Sequence, residues 1–257
     1  MSERFWYLKR CDLFEHLSAD EVRRVESRCR ARRFTRNHPI YLPADEADGV
    51  LLLTTGRVKI CNLTDQGKQA ILAFVEPGEL FGELAIIEPG QQREEYAETV
   101  EPSTLLMIPA DEIQRLVEEH PQVSLRVTKL IGLRRRRIER RLKYLLFNSN
   151  RDRLVHLLLE LAGQYGRPAD RGVDLGIKLS HQDLANLIGS TRETVSVLLG
   201  RLASQGYLTR GRRQIMLTDV NRLAASVNVP PPRSGTTRQP TTAGAFRPKD
   251  RPADYLA

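Results

Sequence analysis

An arginine and a glutamate stand side by side at the start of an apolar helical pattern, at Arg192 and Glu193. A guanidinium group matches the two acceptors of guanine, and a carboxylate accepts from the amino group of cytosine. Ser196 follows one helical turn later, on the same side of such a helix. These three residues are candidate base-reading side chains. The alternative is that the two charges are solvated on an ordinary surface helix.

Two short helices joined at a glycine would position these side chains. Ser180 is placed to cap the first helix, and Asp183 follows three residues later in a capping-box position. Gly189 suits the left-handed conformation that ends a helix, and the hydroxyl residues after it suit the cap of the next one. The stretch from Leu179 to Leu202 therefore predicts a helix-turn-helix, although glycine-split helix pairs also occur inside plain bundles.

Polar residues around these two helices are candidates for contacts to DNA phosphates. Residues 206–209 and 213–217 have the pattern of a hairpin that follows the second helix, with a basic turn that suits a phosphate contact or merely keeps the hairpin soluble. The candidates lie at the two helix starts and in this turn, and they are Ser180, His181, Gln182, Thr191, Thr194 and Arg212.

Composition and net charge indicate which kinds of partner and which cellular location the protein has. The chain has 257 residues and a formal net charge of +8, which favours nucleic acid or an anionic surface as a partner. Its apolar runs fall far short of the roughly 20 residues that cross a bilayer, and residues 1–10 lack the core of a secretory signal. We expect a cytoplasmic protein that does not bind membranes.

The sequence gives little support for catalysis or for a metal site. The three cysteines, Cys11, Cys29 and Cys61, include no Cys-x-x-Cys pair, which argues against a disulfide framework and a zinc site. No nucleophile–base pair, phosphate-binding Walker loop or metal-ligand cluster is recognisable. We therefore expect neither an enzyme nor a metalloprotein.

Residues 34–108 change from a helical to a strand-like pattern, with glycines and prolines between short apolar runs. This pattern is typical of an antiparallel barrel or roll, and the residues before it, 11–33, have an amphipathic helical pattern. Residues 229–257 are rich in proline, threonine, glycine and arginine, which predicts a disordered tail. The expected strands are Val50–Thr54, Arg57–Leu63, Gln69–Val75 and Thr104–Ile108.

A glycine-rich segment inside the roll is a candidate anion site. Gly82 brings the backbone close, and the N–H groups of a short helical turn from Glu83 onward would hold an anion. Glu83 would accept from hydroxyls, and Arg93 would pair with the anion. The alternative is a tight turn with a solvated glutamate and arginine.

A long helix is expected over residues 122–147. Its apolar residues recur at three- and four-residue spacing, which predicts a two-helix seam and a homodimer. The basic run Arg134–Arg137 interrupts this seam, and we expect it to be a solvated helix face, with direct contact to DNA as the alternative. Residues 148–150 are cap-like and mark a hinge. The seam residues are Val123, Val127, Ile131, Ile138, Leu142 and Leu145.

The order of these parts resembles the CRP/FNR superfamily of bacterial transcription regulators over residues 10–227. Two segments are specific: the run Phe81-Gly82-Glu83-Leu84-Ala85 is similar to the family's phosphate-binding cassette, and residues 189–196 are similar to the start of its recognition helix. The resemblance implies an α+β chain with an antiparallel, cyclic-nucleotide-binding-like β-roll (1–120), a long dimerisation helix (121–147), a winged helix-turn-helix (148–228) and the tail (229–257).

By the resemblance, Arg192 and Glu193 occupy base-reading positions, and the chain regulates transcription as a homodimer on palindromic DNA, with RNA polymerase as a further partner. The next reading position, often arginine in the family, is Val197, which suits a thymine methyl group. An unidentified signal acts through the roll, with Gly82, Glu83, Leu84 and Arg93 as effector contacts. The alternative is a cyclic-nucleotide-binding module that acts on a protein partner.

The departures of this sequence from the family pattern argue against cyclic AMP as the signal. Glu94 and Glu95 follow Arg93 where the family usually has small or hydroxyl-bearing residues, and two carboxylates repel a phosphate. Ile138 and Glu139 occupy the positions that offer a Thr-Ser pair to adenine in members that bind cyclic AMP. The sequence therefore assigns no definite cofactor, and it leaves open the operator and whether transcription rises or falls.

Overall fold

The computed structural model describes Leu8 and residues 11–64, 69–83, 92–211 and 214–232. The expectations for Leu84, for Arg212 and for the tail beyond 232 lie outside these residues. Two antiparallel sheets are followed by a long helix and then by a domain of helices and short strands. This is the α+β arrangement that the sequence predicts.

The N-terminal part consists of strands flanked by two helices, α1 (Ala19–Arg28) and α2 (Ala110–Glu119). The four strands expected from the sequence are present with their ends shifted by at most one residue. The strands are β1 (Arg30–Phe34), β2 (Pro39–Tyr41), β3 (Gly49–Thr55), β4 (Val58–Leu63), β5 (Gln69–Val75), β6 (Leu80–Phe81), β7 (Tyr96–Thr99) and β8 (Ser103–Pro109).

The C-terminal part begins with the long helix α3 (Pro121–Phe147). The helices that follow are α4 (Asn150–Tyr165), α5 (His181–Ile188), α6 (Arg192–Ser204) and α7 (Val220–Ala225). Two hairpins accompany them, formed by strands β9 (Arg167–Ala169), β10 (Gly172–Asp174), β11 (Leu208–Gly211) and β12 (Gln214–Leu217).

The roll consists of two four-stranded sheets in the orders β1-β8-β3-β6 and β2-β7-β4-β5. Alternate residues of a strand point to opposite faces, so β3 is apolar on both sides. Leu51 and Leu53 pack between the sheets. Val50 and Leu52 pack on the outer face, against the helices. Both faces of β3 are thus buried.

The N-terminal end of α3 belongs to the core of its own chain. Val123 and Val127 are buried in the cluster that also contains Val22 and Leu116 of α1 and α2. The expectation that these two valines form a seam with a second chain is therefore wrong. Helical periodicity identifies an apolar face but not what covers it.

The helical pattern expected over residues 11–33 extends too far. Helix α1 starts at a capping box between Ser18 and Glu21 and ends at Arg28. Residues 30–34 form β1, which pairs with β8 antiparallel, with Arg30 opposite Met107. Its arginines are exposed and show no apolar alternation, because β1 is an edge strand of its sheet.

The C-terminal domain has its own apolar core, and the roll contributes to it. Leu158, Leu184 and Val195 are fully buried in this core. Cys61 and Ile71, on the outer face of the second sheet, join the same cluster. The helix-turn-helix therefore packs directly against the roll of its own chain.

A short connection joins the long helix to this domain. Helix α3 ends at Phe147, and Asn148 is extended, with φ −114° and ψ 151°. Ser149 then caps α4 by accepting from the N–H of Asp152. Within the described ranges, no helix is long and apolar enough to cross a membrane.

The two faces of α6 give a direct test of this packing. Leu199 is fully buried, whereas 53% of Val197 is exposed. Replacing Leu199 with alanine should lower the free energy of unfolding by about 2–5 kcal/mol, because a buried cavity remains. Val197→Ala should change it by less than about 0.5 kcal/mol. Urea denaturation of the full chain measures both values, and equal losses would contradict the assigned faces.

Candidate functional site

The turn between α5 and α6 is fixed by local backbone interactions. Gly189 has φ 64° and ψ 46°, in the left-handed region that favours glycine. Ser180 and Asp183 form the expected capping box at the start of α5. Thr191 caps α6 by accepting from the N–H of Thr194 at 3.2 Å. The predicted helix-turn-helix is therefore present, with its caps as expected.

The N-terminal end of α6 presents its side chains outward. Arg192, Glu193 and Val197 are exposed, while Val195 and Leu199 anchor the opposite face in the core. An exposed arginine and an exposed carboxylate on the first turn of an anchored helix can reach the edges of DNA bases. The structure thus brings these sequence-predicted residues together on one surface.

Ser196 is less available than its neighbours. Its hydroxyl donates to the carbonyl of Arg192 at 2.8 Å, and Nδ1 of His181 lies 2.8 Å from the same oxygen. Burial lowers the pKa of His181, with further lowering from Arg210 and Arg192. A neutral His181 ring therefore donates from Nδ1 to Ser196 and joins the start of α5 to α6.

The remaining candidates for phosphate contacts lie around this surface. Gln182 and Thr191 are exposed, and Thr194 is half-buried with its hydroxyl 3.0 Å from that of Thr191. The hairpin of β11 and β12 is present, but its turn residue Arg212 lies outside the described residues. Arg210, which belongs to the basic turn expected from the sequence, lies on β11, is exposed and lowers the pKa of His181.

A second candidate site is a cleft of about 280 Å³ between the roll and α3. Apolar side chains from both sides form part of its wall, and acidic and basic side chains form the rest. The lining residues are Ile60, Leu72, Ala73, Ile131, Ile138, Glu83, Glu95, Glu139, Arg134, Arg135 and Arg137. The expectation that Arg134–Arg137 is a solvated helix face is wrong for Arg134, whose side chain is 15% exposed, whereas Arg135 and Arg136 are exposed as expected.

The effector candidates of the roll are engaged within the protein. The Glu83 carboxylate pairs with Arg134, which also donates to the carbonyl of Leu80. Arg93 is buried, donates to the carbonyl of Gly49 at 2.8 Å, and lies 4.3 Å above the ring of Tyr41. Gly82 has φ 73°, which favours glycine, and a Cβ atom there would also approach Nη1 of Arg93 to 2.6 Å.

These contacts do not fit a cyclic nucleotide in the way that the sequence resemblance implies. Glu83 is neutralised by Arg134, and Arg93 is not among the residues that line the cleft. The cleft also contains Glu95, which accepts from the Tyr41 hydroxyl at 2.7 Å, and Glu139. The backbone N–H groups after Glu83 lie outside the described residues. Among the described residues, three glutamates and three arginines line the cleft, so their charges balance and give no net attraction for a phosphate.

Cysteine and metal chemistry find no support in the described part of the chain. All three cysteines are buried as thiols. Burial raises the pKa of the Cys61 thiol to about 12, so this thiol stays protonated and unreactive at neutral pH. Among the residues that the structure describes, no cluster of three His, Cys, Asp or Glu side chains has the geometry of a metal site.

Polar contacts connect the roll to the first helix of the helix-turn-helix. Lys59 is only 8% exposed, and its Nζ lies 3.2 Å from Glu98 and 3.8 Å from Asp183 of α5. The side-chain amides of Gln69 and Asn186 approach to 3.2 Å. These long-range contacts could not be identified from the sequence, because their partners are far apart in the chain.

Two arginines link α3 to its neighbours. Arg141 donates to the carbonyl of Leu72 on β5 at 2.7 Å. Arg153 on α4 donates to the carbonyl of Leu145 at 2.6 Å and to that of Ile188, at the end of α5, at 3.4 Å. Arg153 thus connects the long helix, the hinge and the helix-turn-helix.

Comparison with known proteins gives matches over both parts of the chain. The cyclic nucleotide-binding domain family matches residues 31–120, and the Crp-like helix-turn-helix domain family matches residues 152–226. A global nitrogen regulator from Synechocystis is 32% identical over 71% of this chain and 81% of its own length. A CRP-like cAMP-activated global transcriptional regulator from Mycobacterium tuberculosis is 25% identical over 84% and 96% of the two chains.

Among solved structures, a mutant of CooA from Carboxydothermus hydrogenoformans is similar over 84% of this chain and 94% of its own. The TM-score is 0.70 and the sequence identity is 26%. The similarity therefore covers the roll, the long helix and the helix-turn-helix together.

The carboxyl group of Glu95, which is half-buried at the cleft, gives a pH-dependent prediction. Burial raises its pKa above the unfolded value of about 4.3, so the folded protein binds this proton more tightly. The free energy of unfolding should then fall as pH rises from about 4.3 through the raised pKa. Glutamine does not ionise, so Glu95→Gln removes this fall in the free energy of unfolding. The stability of the variant relative to the wild type should therefore rise over that pH range.

Urea denaturation at a series of pH values measures the difference. Glu94 is exposed, and Glu94→Gln is the matched control, which should follow the wild type. If Glu95→Gln and Glu94→Gln show the same pH dependence, the burial of Glu95 does not control its protonation.

Proposed function

The chain belongs to the CRP/FNR family of bacterial transcription regulators, and we propose that it binds a palindromic operator as a homodimer under the control of a signal received by the roll. DNA-binding transcription regulation is the activity of the family. The dimer, the operator symmetry and the signal are the additional parts of the proposal. We place this activity in the cytoplasm, with RNA polymerase as a partner.

The main support for the proposal is that the N-terminal turn of α6 is exposed while the opposite face of the helix is buried. Arg192, Glu193 and Val197 lie on that exposed surface. In helix-turn-helix proteins the corresponding end of the second helix enters the major groove. The opposite face of α6 is anchored in the core, so the position of these side chains is set by the domain and not by the ligand.

Each residue has a chemical role in this proposal. Arg192 donates to the O6 and N7 atoms of a guanine, and Glu193 accepts from a cytosine amino group. Val197 contacts a thymine methyl group, while Ser196 supports the surface through Arg192 and His181. Phosphate contacts from both helix starts and from the wing fix the register, and they come from Ser180, the backbone N–H of His181, Gln182, Thr191, Thr194 and Arg212.

The homodimer is supported by an apolar surface on α3. Leu125, Leu142 and Leu146 are 64%, 52% and 66% exposed, which is unusual for leucines along one helix. A Cβ atom added to Gly132 would meet no neighbouring element of the described chain within 4 Å, so a second helix can approach closely there. Pairing of two copies through this surface would bury it, and a two-fold dimer reads a palindromic site.

The signal would act on the cleft and reach DNA through α3. Arg134 and Ile131 on this helix line the cleft, and its C-terminal end contacts the helix-turn-helix, where Leu145 approaches Gly189. A ligand changes this arrangement only if it binds one position of α3 better than another. The alternative, a cyclic-nucleotide-binding module that acts on a protein partner, leaves the exposed turn of α6 without a role.

The first test concerns the base-reading arginine. A binding site is selected from random DNA with the full chain, and affinities for it are measured by fluorescence anisotropy. Arg192→Ala should weaken binding by about 1–3 kcal/mol and relax the preference at one base pair in each half-site. The reason is the loss of a two-pronged hydrogen bond to guanine.

Arg201 provides the control, because it is exposed on the same helix nine residues further on, near its C-terminal end. Arg201→Ala removes the same charge and should leave the base preference unchanged. If Arg192→Ala retains both the affinity and the preference of the wild type, Arg192 is not a base-reading residue.

The second test concerns the dimer. Leu142→Glu places a charge in the proposed interface of α3, and burying two such charges is unfavourable. Light scattering after size exclusion should give twice the chain mass of 29.2 kDa for the wild type and a single chain for the variant. Leu42 is 46% exposed on the roll, and Leu42→Glu should remain dimeric. A dimeric Leu142→Glu protein would exclude this interface.

A further inference from the structure

A histidine on the first helix of the helix-turn-helix is hydrogen-bonded to the second helix, beside the candidate base-reading residues. His181 is the first residue of α5, and Ser196 lies on α6, one turn after Arg192. Nδ1 of His181 lies 2.8 Å from the Ser196 hydroxyl oxygen, which lies 2.8 Å from the carbonyl oxygen of Arg192. The three residues therefore form a short chain of hydrogen bonds from α5 to the start of α6.

The chemistry of a hydroxyl group fixes the direction of these hydrogen bonds. A serine has one O–H group that donates and two lone pairs that accept. Ser196 donates its hydrogen to the carbonyl of Arg192, one turn back in the helix. Its oxygen can then only accept from His181, so the ring must have its proton on Nδ1.

We propose that His181 is a positioning residue that sets the base preference of this protein by keeping the Ser196 hydroxyl away from DNA. The inference rests on the proposed function, because it requires that α6 read bases. It gives His181 a role in sequence specificity that involves no contact with a base.

The place of Ser196 on α6 explains why such a restraint affects specificity. Ser196 is half-buried, whereas Arg192 and Val197 on either side of it are exposed. A serine hydroxyl donates as readily as it accepts, so it suits several bases. A free hydroxyl at this position would therefore add a contact of low selectivity beside those of Arg192 and Val197.

Two hydrogen bonds oppose the release of this hydroxyl. The bond from Ser196 to the Arg192 carbonyl alone could be exchanged for one to a base, because one acceptor replaces another. Rotation of the Ser196 side chain toward DNA would also leave the Nδ1–H of His181 without its acceptor. An unsatisfied donor in a half-buried place costs more than an ordinary hydrogen bond contributes. His181 therefore decides whether Ser196 can turn toward a base.

The surroundings of the His181 ring favour this role. Burial lowers the pKa of the ring, and Arg210 on β11 and Arg192 on α6 lower it further. At neutral pH the ring therefore carries one proton, and the bond to Ser196 places that proton on Nδ1. Nε2 then has no hydrogen to donate to a phosphate. The one N–H group of the ring is thus committed to Ser196.

The experiment combines substitutions at the two positions. A site is selected from random DNA with the wild-type full chain, and the affinity of each protein for this site and for its single-base variants is measured by fluorescence anisotropy. His181→Leu keeps an apolar side chain of similar bulk that cannot donate. His181→Asn supplies an amide N–H in place of Nδ1–H. Ser196→Ala and the double variant of His181→Leu with Ser196→Ala complete the set.

The expected pattern is specific to a restraint on Ser196. His181→Leu should change the preference at one base pair of each half-site by about three- to tenfold, the factor that one hydrogen bond contributes. Ser196→Ala and His181→Asn should keep the wild-type preference, because neither presents a free hydroxyl to DNA. Adding Ser196→Ala to His181→Leu should restore the wild-type preference, a coupling that two independent losses would not show.

Two results would overturn the proposal. One is an altered preference in Ser196→Ala alone, since Ser196 would then read a base in the wild type. The other is a His181→Leu protein that binds every sequence more weakly by the same factor, with no recovery in the double variant. In that case the ring supports the fold and does not act on specificity.

The selection itself separates this inference from its premise. If the wild type selects no DNA sequence, the proposed function fails and the inference fails with it. If the wild type selects a site whose base preference depends on Arg192, but His181→Leu keeps that preference, only the inference fails.

Discussion

The position of the helix-turn-helix depends on apolar contact between the outer face of the second sheet and the C-terminal domain. Cys61, Ile71 and Phe74 extend from the roll into the core that contains the buried residues of α5 and α6. This core leaves the first turn of α6 exposed. A change in the roll can therefore alter DNA binding without touching α6, because the two domains share buried surface and are not merely tethered.

Arginines provide further polar contacts along α3 and at its C-terminal end. Arg134 pairs with Glu83 at the cleft, Arg141 donates to strand carbonyls of β5, and Arg153 donates to carbonyls at the ends of α3 and α5. The guanidinium group has several donors in a fixed plane, so it can satisfy carbonyl groups from different elements. These arginine contacts are distributed along α3, from the cleft to the hinge at its C-terminal end.

The sequence predicts the helix-turn-helix accurately because its signals are local. Ser180, Asp183 and Gly189 act on their own backbone within a few residues, and that information is present in the chain order. The β1 strand was missed because an exposed edge strand needs no apolar alternation. The pairing of Glu83 with Arg134 joins residues 51 positions apart, and no periodicity reports such a pair. The valines of α3 were assigned to a seam because spacing does not reveal the covering partner.

The length of α3 converts small rotations into large displacements. Val127 is its last buried residue, and Phe147 lies 20 residues further on, a distance of about 30 Å along the axis. A tilt about the buried end therefore moves the far end by about 0.5 Å per degree. Hydrogen bonds to base edges tolerate a distance range of only about 0.5 Å. A tilt of about one or two degrees would therefore move the far end of α3 by about 0.5–1 Å, which is at least the whole distance range of a hydrogen bond.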